Sequence, residues 1–467
     1  MADATVIAAR RYADAYPGFR LAFPVEVAVP MSRLTLELLV QERRPLPVVE
    51  EYALRLTHAG VTKIGDIARY LGLDDAPVTD AIVAQMQEEN LEHRPDPHGG
   101  RMLVLTPNGI DAATDLQAVT ILRVEAERIF DRLAWKAVDY TARELIHADD
   151  VKADGIVTLP STRTGDVDLA DITPRALNKL LNSRSDRREP PPLQILSVET
   201  ILRETRWYLP AVLLVYQAIG ANDTRFAVTV NGARSTPYEQ ALDATGGYDR
   251  LKINIQPSAG EPALPIELTT QRVAHDRVVG WHRQTAWATP ATPGDVSAET
   301  EDSKAARHEL DTAPVRAVPA FEHRHLLAEA LTTARRRLLL VTSSVRDAVA
   351  GDFFDHLETA LRRKGMRVTI VYTNSDNRSD HDRDAIGRLR KLAERHTNLT
   401  LVAHPGPASA ALIYDNTWIN SNFGWLSYRG DPTHTYRSEE GTLIRIPAIV
   451  DAHHDTCLAT FVSPNTA

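Results

Sequence analysis

One cysteine in 467 residues, Cys457, excludes an intrachain disulfide and any zinc site built from several cysteines. A lone thiol fits a reducing compartment, and the expected location is the cytoplasm. Nowhere do about 18 apolar residues run together, so no membrane-spanning helix and no membrane partner are expected. The start, Met1-Ala2-Asp3-Ala4-Thr5, lacks a basic stretch leading into an apolar core, and no secretory signal is expected from it. A basic surplus is missing too. Lys and Arg number 53 against 62 Asp and Glu, a formal net charge of −9. Chains that neutralise many phosphates usually carry a basic excess, so any nucleic-acid contact here needs a local patch. There is no P-loop, no dinucleotide fingerprint, no G-x-S-x-G elbow and no Cys-His nucleophile pair. No cofactor is expected.

What is present has the balance of a globular protein, with 43% hydrophobic and 25% charged residues. The length allows about three domains. Residues 1–40 read as an N-terminal arm, with an extended or edge strand between Pro24 and Pro30. Residues 41–115 read as helices over 49–56, 64–73 and 76–90, then two strands around Pro97-His98-Gly99-Gly100, then a helix opened by Thr106-Pro107. This order resembles a winged helix-turn-helix. The second helix of that motif would enter a DNA groove, yet Asp74, Asp75, Asp80, Glu88 and Glu89 crowd it. Carboxylates repel phosphates, so a protein contact or scaffold role fits it better than base readout. The wing keeps His93, Arg94, His98 and Arg101 as a modest basic tip.

Residues 116–285 read as an α+β middle domain. Segment 121–135 is open between helix and strands, and separate strands are expected over 194–201, 211–219, 225–230 and 251–255. Residues 286–317, rich in Ala, Thr, Pro, Glu and Asp, read as a flexible linker. Residues 318–467 alternate strands with helices, which predicts a layered α/β sheet.

The run Ala408-Ser-Ala-Ala-Leu-Ile-Tyr-Asp415-Asn-Thr-Trp-Ile-Asn-Ser-Asn422-Phe-Gly424-Trp-Leu-Ser-Tyr-Arg429-Gly-Asp431 carries the strongest signal. It resembles the signature of the phospholipase D superfamily: H-x-K-x4-D, a short strand, G/T-S-x-N, and often W-L-S-x-R-G-D. The family's His falls on Ala408, its Lys on Ala410, its Asp on Asp415, its Ser on Asn422 and its Asn on Gly424. The resemblance covers residues 318–467 and implies an α/β/α sandwich. In active relatives it implies a phosphohistidine mechanism, with a nucleophile, an acid opposite it and a cation where charge develops. Alanine supplies neither lone pair nor charge, so no catalytic residue is expected at these positions. His404 and His434 are the outside candidates for a relocated nucleophile. Glu439 and Glu440 match acidic positions that follow the motif. Asn420, Ser421, Asn422 and Arg429 could hold a phosphate weakly.

Asp380-His381-Asp382 and Asp451-Ala-His453-His454-Asp455 look metal-like but lack spaced third ligands, so no metal site is expected. For nucleic acid, the candidates are Arg94, Arg101, Arg335, Arg336, Arg362, Arg363 and Arg429. The expectation is a multidomain phospholipase-D-like pseudoenzyme that binds nucleic acid or a partner. The winged-helix plus phospholipase-D-like layout looks like components of prokaryotic DNA-processing and anti-phage systems. It implies a DNA-handling ATPase or nuclease as partner, DNA as a second ligand, or a homodimer through the C-terminal domain. The alternatives are an active phosphodiesterase or nuclease and a winged-helix transcription regulator.

Overall fold

The computed structural model describes residues 2–462 apart from 98, 185–192, 222, 257–259, 288–299, 374–379, 406–409, 428–434 and 438. The chain opens with α1 (Ala2–Tyr12) and β1 (Phe19–Pro45). A helical unit follows: α2 (Val48–His58), α3 (Ile64–Leu71), α4 (Asp75–Gln87), β2 (Leu91–Pro95), β3 (Arg101–Leu105) and α5 (Pro107–Asp115). Next come β4 (Gln117–Asp131), β5 (Lys136–Val138), β6 (Ile146–His147), α6 (Ala148–Ala153), β7 (Val157–Thr158), α7 (Pro174–Arg184), β8 (Leu193–Ala218), β9 (Thr224–Val230) and β10 (Ala233–Arg234). Then α8 (Thr236–Ala244), α9 (Gly247–Leu251), β11 (Asn254–Gln256), α10 (Ile266–Gln271) and α11 (His275–Trp287) lead to α12 (Glu301–Thr312). The last part holds β12 (Val315–Val318), α13 (His323–Thr333), β13 (Arg337–Thr342), α14 (Asp347–Leu361), β14 (Arg367–Thr373), α15 (Asp380–Arg395) and β15 (Leu399–His404). It closes with β16 (Ala411–Tyr414), β17 (Thr417–Ser421), β18 (Thr435–Arg437), β19 (Gly441–Ile444) and α16 (Pro447–Phe461). The result is a multidomain protein of mixed α and β structure. Among the described residues no helix is long and apolar enough to cross a membrane.

β1 extends far beyond the extended or edge strand expected between Pro24 and Pro30. It runs 27 residues through the first sheet, paired with β8 on one side and, from Met31 onward, with β4 on the other. Pro24 and Pro30 lie in the half that β4 does not reach, where β7 pairs with only Val27 and Ala28. Their missing N–H groups therefore interrupt no second full ladder. β8 is one strand of 26 residues where two shorter ones were expected, and it keeps pace with β1 through register shifts such as those at Leu21/Phe23 and Thr35/Leu36. Such bulges let a long ribbon twist without losing its buried face. Segment 121–135 resolves into β4 and the turn after it, and Leu251 ends a helix rather than starting a strand.

The helical unit between β1 and β4 is built as its periodicity requires. Ala53, Leu54, Ile67, Ala68, Val78 and Ile82 form one core with Leu91 and Leu103. Gly72 ends α3 in the left-handed region at φ 69°, which glycine adopts without penalty. Thr106 caps α5 by accepting the N–H of Gly109. At about 3.3 Å per residue, β1 holds this unit roughly 80 Å from its own first residues.

The second sheet has the order β12-β19-β17-β16-β13-β14-β15. β13, β14 and β15 run parallel; β16 returns antiparallel beside β13. Alternation along β13 divides its faces: Leu338 and Leu340 pack under α13, α14 and α15, while Leu339 and Val341 face α16 and α10. Helices thus cover both sides of the sheet.

The expected linker is in part a helix. α12 is capped by Thr300, whose side chain accepts the N–H of Ser303, and it buries Ser303, Ala306 and Leu310. Ala306 and Leu310 pack with Val278 and Trp281 of α11. Three residues on one face are too few to register as periodicity in a polar sequence; a ready-made apolar partner makes them enough. Residues 288–299 of that linker lie outside the described residues. Leu310→Ala is expected to cost about 2–5 kcal/mol, read as a lower urea midpoint with an unchanged slope. A dangling linker would give no change.

Candidate functional site

The hairpin β16–β17 carries the motif positions and separates them into two groups. Its turn, Asp415–Asn416, lies at the end where β13 begins, since Tyr414 pairs with Leu338. Its open end, where Ala411 pairs with Asn420, lies where β13 finishes at Val341. Ala410 and Asp415 are therefore about 17 Å apart along the strand. Ala408 lies outside the described residues.

Asp415 has a structural task. It turns the hairpin at φ 42°, and its carboxylate accepts the backbone N–H groups of Arg335 (2.9 Å), Arg336 (2.8 Å) and Arg337 (3.2 Å). Its carbonyl accepts Arg337 Nε and Nη2 at 3.0 and 2.8 Å. It thereby ties the hairpin turn to the start of β13, far from the open end.

At the open end the polar side chains are engaged by the chain itself. Asn422 Nδ2 donates to the carbonyl of Gly260 at 2.8 Å. Asn420 Nδ2 reaches the carbonyls of Pro262 (3.3 Å) and Ala263 (3.5 Å). Gly424 turns the chain, and a Cβ there would come within 2.5 Å of Ser427 Oγ. The segment before α11 is held across the sheet by further bonds. Arg272 Nε donates to Thr442 Oγ1 at 2.8 Å, and its Nη2 meets both oxygens of Glu261. Arg20 Nη1, from the start of β1, meets both oxygens of Glu440 at 2.9 Å. β11 pairs with β18 beside them.

This edge cluster brings an imidazole near two guanidinium groups, an arrangement the sequence did not indicate. His275 Nδ1 lies 3.5 Å from Glu440. Burial lowers its pKa to about 4, and Arg20 pushes the same way, so the ring is neutral at pH 7. Burial raises the Glu440 carboxyl, with Arg20 pulling it back. Both guanidinium groups face carboxylates. Arg20 is met by Glu440 and Arg272 by Glu261, so among the described residues neither guanidinium is left to a phosphate alone.

Ser421, a candidate phosphate holder by sequence, is paired with His323, a partner the sequence did not indicate. His323 Nε2 lies 2.8 Å from Ser421 Oγ, and Nδ1 lies 3.2 Å from the Ala320 carbonyl. With Nδ1–H donating to that carbonyl, Nε2 accepts the serine proton, which is the geometry of a nucleophile and its base. Both residues have 0% exposure. Phe423 stacks on the imidazole at 4.5 Å, and Gly441 presses so close that a Cβ there would sit 2.8 Å from Ser421 Cβ. No substrate reaches a pair sealed this way. Burial holds His323 at about 4. Glu322, the residue before it, takes Arg316 through two bonds of 2.7 and 2.8 Å and lies 3.1 Å from His282 of α11. Burial opposes its charge, but Arg316 and His282 hold it well below the usual carboxylate range.

The remaining candidates are scattered. His404 ends β15, three strands from β16 or about 14 Å, with its ring edge-on to Phe461 at 5.2 Å. His434 and Arg429 lie outside the described residues, as does His98 of the wing. Arg94 is exposed on β2 and bonds Glu92; Arg101 is exposed across from Pro95. Arg335, Arg336, Arg362 and Arg363 gather at the end of the sheet opposite the open end of the hairpin, where Arg363 Nη1 donates to the Ala334 carbonyl. Among the described residues no three His, Cys, Asp or Glu side chains converge as metal ligands.

No family model and no curated protein matches the chain. Solved structures show weak likeness only. TrmBL2, an archaeal chromatin protein described as showing a novel mode of DNA binding, aligns at 18% identity over 33% of this chain and 59% of its own, with a TM-score of 0.23. The phospholipase D family member Nuc from Salmonella typhimurium aligns at 20% identity over 30% of this chain and 90% of its own, TM-score 0.24. NucT from Helicobacter pylori aligns at 14% identity over 32% and 98%, TM-score 0.24. The chain thus spans about three fifths of the chromatin protein.

Two outcomes follow from this geometry. Asp415→Ala loses a charged acceptor and places alanine at φ 42°, and is expected to cost about 1–3 kcal/mol in chemical denaturation; Asp415→Asn, at home in that conformation, loses less. Acid acts through the buried histidines. His275 and His323 stay neutral in the fold down to about 4 but take protons near 6.5 once unfolded. The unfolded state therefore binds more protons between those values, and stability is lost as pH falls from about 6.5 toward 4. Melting curves across that range are expected to show the fall, with a shallower slope in His323→Gln.

Proposed function

We propose that this chain is a non-catalytic binding protein: a winged-helix unit and a degenerate phospholipase-D-like domain that engages nucleic acid or a protein partner. One observation carries the reading. At the open end of the β16–β17 hairpin, the amides of Asn420 and Asn422 donate to the chain's own carbonyls at Gly260, Pro262 and Ala263. The amides there are already bonded, and the described guanidinium groups beside them, Arg20 and Arg272, are met by carboxylates. Ala410, where the family places its lysine, adds no charge.

The winged-helix unit supports a contact role of limited specificity. The exposed side of α4 carries Asp75, Asp80 and Glu88 close by, with no cation, so base readout by that helix is disfavoured. The basic end of the second sheet, with Arg335, Arg336, Arg362 and Arg363, is the better surface for a polyanion. The combination of these two units supports a place in a prokaryotic DNA-processing or anti-phage system, beside a DNA-handling ATPase or nuclease. A second reading rests on His275, which faces Glu440 and sits between Arg20 and Arg272: a phosphodiesterase with its imidazole moved to α11.

Purified full-length protein is expected to release no product from a generic phosphodiester or from plasmid DNA, and to shift a DNA duplex in a salt-sensitive manner. Turnover that disappears in His275→Ala, His404→Ala or His434→Ala would overturn the non-catalytic reading.

A further inference from the structure

α15 presents a cationic face that no sequence motif marks. Ala385, Ile386, Leu389 and Leu392 bury one side of the helix against α14 and the second sheet. Arg383, Arg388, Arg390, Lys391 and Arg395 are exposed around the rest of the helix, together with the acids Asp384 and Glu394, a cationic excess of three. Favourable pairing with the helix dipole accounts for Arg395 in the last turn but not for Arg388 or Arg390, which sit further inside. Two of these guanidinium groups are braced from below. Arg388 lies over the Phe354 ring at 4.2 Å, and Arg390 Nη2 reaches Tyr372 Oη at 3.3 Å. Exposed arginines held in place lose less freedom on meeting an anion.

Gly387 points the same way. It lies inside α15, where glycine weakens a helix relative to alanine. A Cβ added there would meet nothing within 4 Å, so packing within the chain does not require its absence. Its neighbours on the helix surface, at i−4, i−3, i+3 and i+4, are Arg383, Asp384, Arg390 and Lys391. The bare backbone thus sits among three cations and one acid, where a ligand can come close. The face also continues beyond α15. Asn398 Nδ2 donates to the carbonyls of Leu361 (2.9 Å) and Met366 (3.0 Å), which joins the end of α15 to the turn carrying Arg362, Arg363, Lys364 and Arg367. From Arg383 to Arg395 and from Arg362 to Arg367 there are nine cations and two acids, in a chain of net charge −9.

We propose that the exposed face of α15, centred on Gly387 and continued by the α14–β14 turn, binds the sugar-phosphate backbone of nucleic acid. This rests on the binding role argued above and gives it a surface. Point cations braced on a helix contact phosphates and not base edges, so binding is independent of sequence and sensitive to salt. The α14–β14 turn and the last turn of α15 lie at the end of the sheet opposite the open end of the hairpin.

The test is fluorescence anisotropy of the full chain with a labelled DNA duplex, between about 50 and 200 mM salt. The triple variant Arg388→Gln, Lys391→Gln, Arg395→Gln is expected to bind about tenfold or more weakly, and its log–log salt slope to shrink by about 2.7 for three lost contacts. Gly387→Leu leaves the charge unchanged, and is expected to weaken binding while raising the melting temperature. A wing variant, Arg94→Gln with Arg101→Gln, separates the two levels of the argument. If it abolishes binding while the triple and Gly387→Leu variants bind as the unaltered protein does, the α15 surface is wrong and the nucleic-acid role stands. If the unaltered protein binds no duplex at low salt, both fall.

Discussion

Glu322 is a carboxylate buried at the junction of three elements, and its charge is tolerable only because Arg316 and His282 meet it there. A buried carboxylate deprived of its partner is strongly destabilising, whereas the intact pair contributes little net stability. The set therefore acts as a registration device. Arg316 belongs to β12 at the edge of the second sheet, and His282 to α11, so the three side chains set how the helix meets the sheet. α1 adds to the same junction, with Arg11 Nε donating to the Ala286 carbonyl at 3.1 Å.

The state of the cleft follows from that docking. α11 begins at His275, three residues after Arg272, so fixing it against β12 also draws residues 260–274 across the open end of the hairpin. The next residue along from Glu322, His323, turns inward to Ser421. Two adjacent side chains thus face different elements, one fastening α11 and the other fastening β17. What in outline resembles a reaction centre is a closed seam, lined by paired charges and bonded amides. The long β1–β8 ribbon then sets the helical unit far from this seam, while the basic end of the second sheet stays open to solvent.

Local chemistry made several parts legible beforehand. Apolar spacing at Val78 and Ile82 placed α4, Gly72 ended α3, and Thr106-Pro107 opened α5. The alternation of apolar strands and amphipathic helices after β12 marked a layered sheet. The helix α12 and the unbroken run of β8 were not legible. Their apolar residues are sparse, and each depends on a partner far away in the chain. The same holds for the site. Arg20 and Glu440 are separated by 420 positions, and His323 and Ser421 by 98. No spacing rule links such pairs.

By itself the sequence determined that positions 408 and 410 are alanines, side chains with neither lone pair nor charge, whatever surrounds them. It also determined the net negative charge and the local cationic runs, because these are sums over residues. Only the tertiary structure decided that Asp415 serves a turn, that Asn420 and Asn422 bond the chain's own carbonyls, and that Arg388 lies over the Phe354 ring. These depend on which distant segments share a face, and that is set by packing of the whole chain.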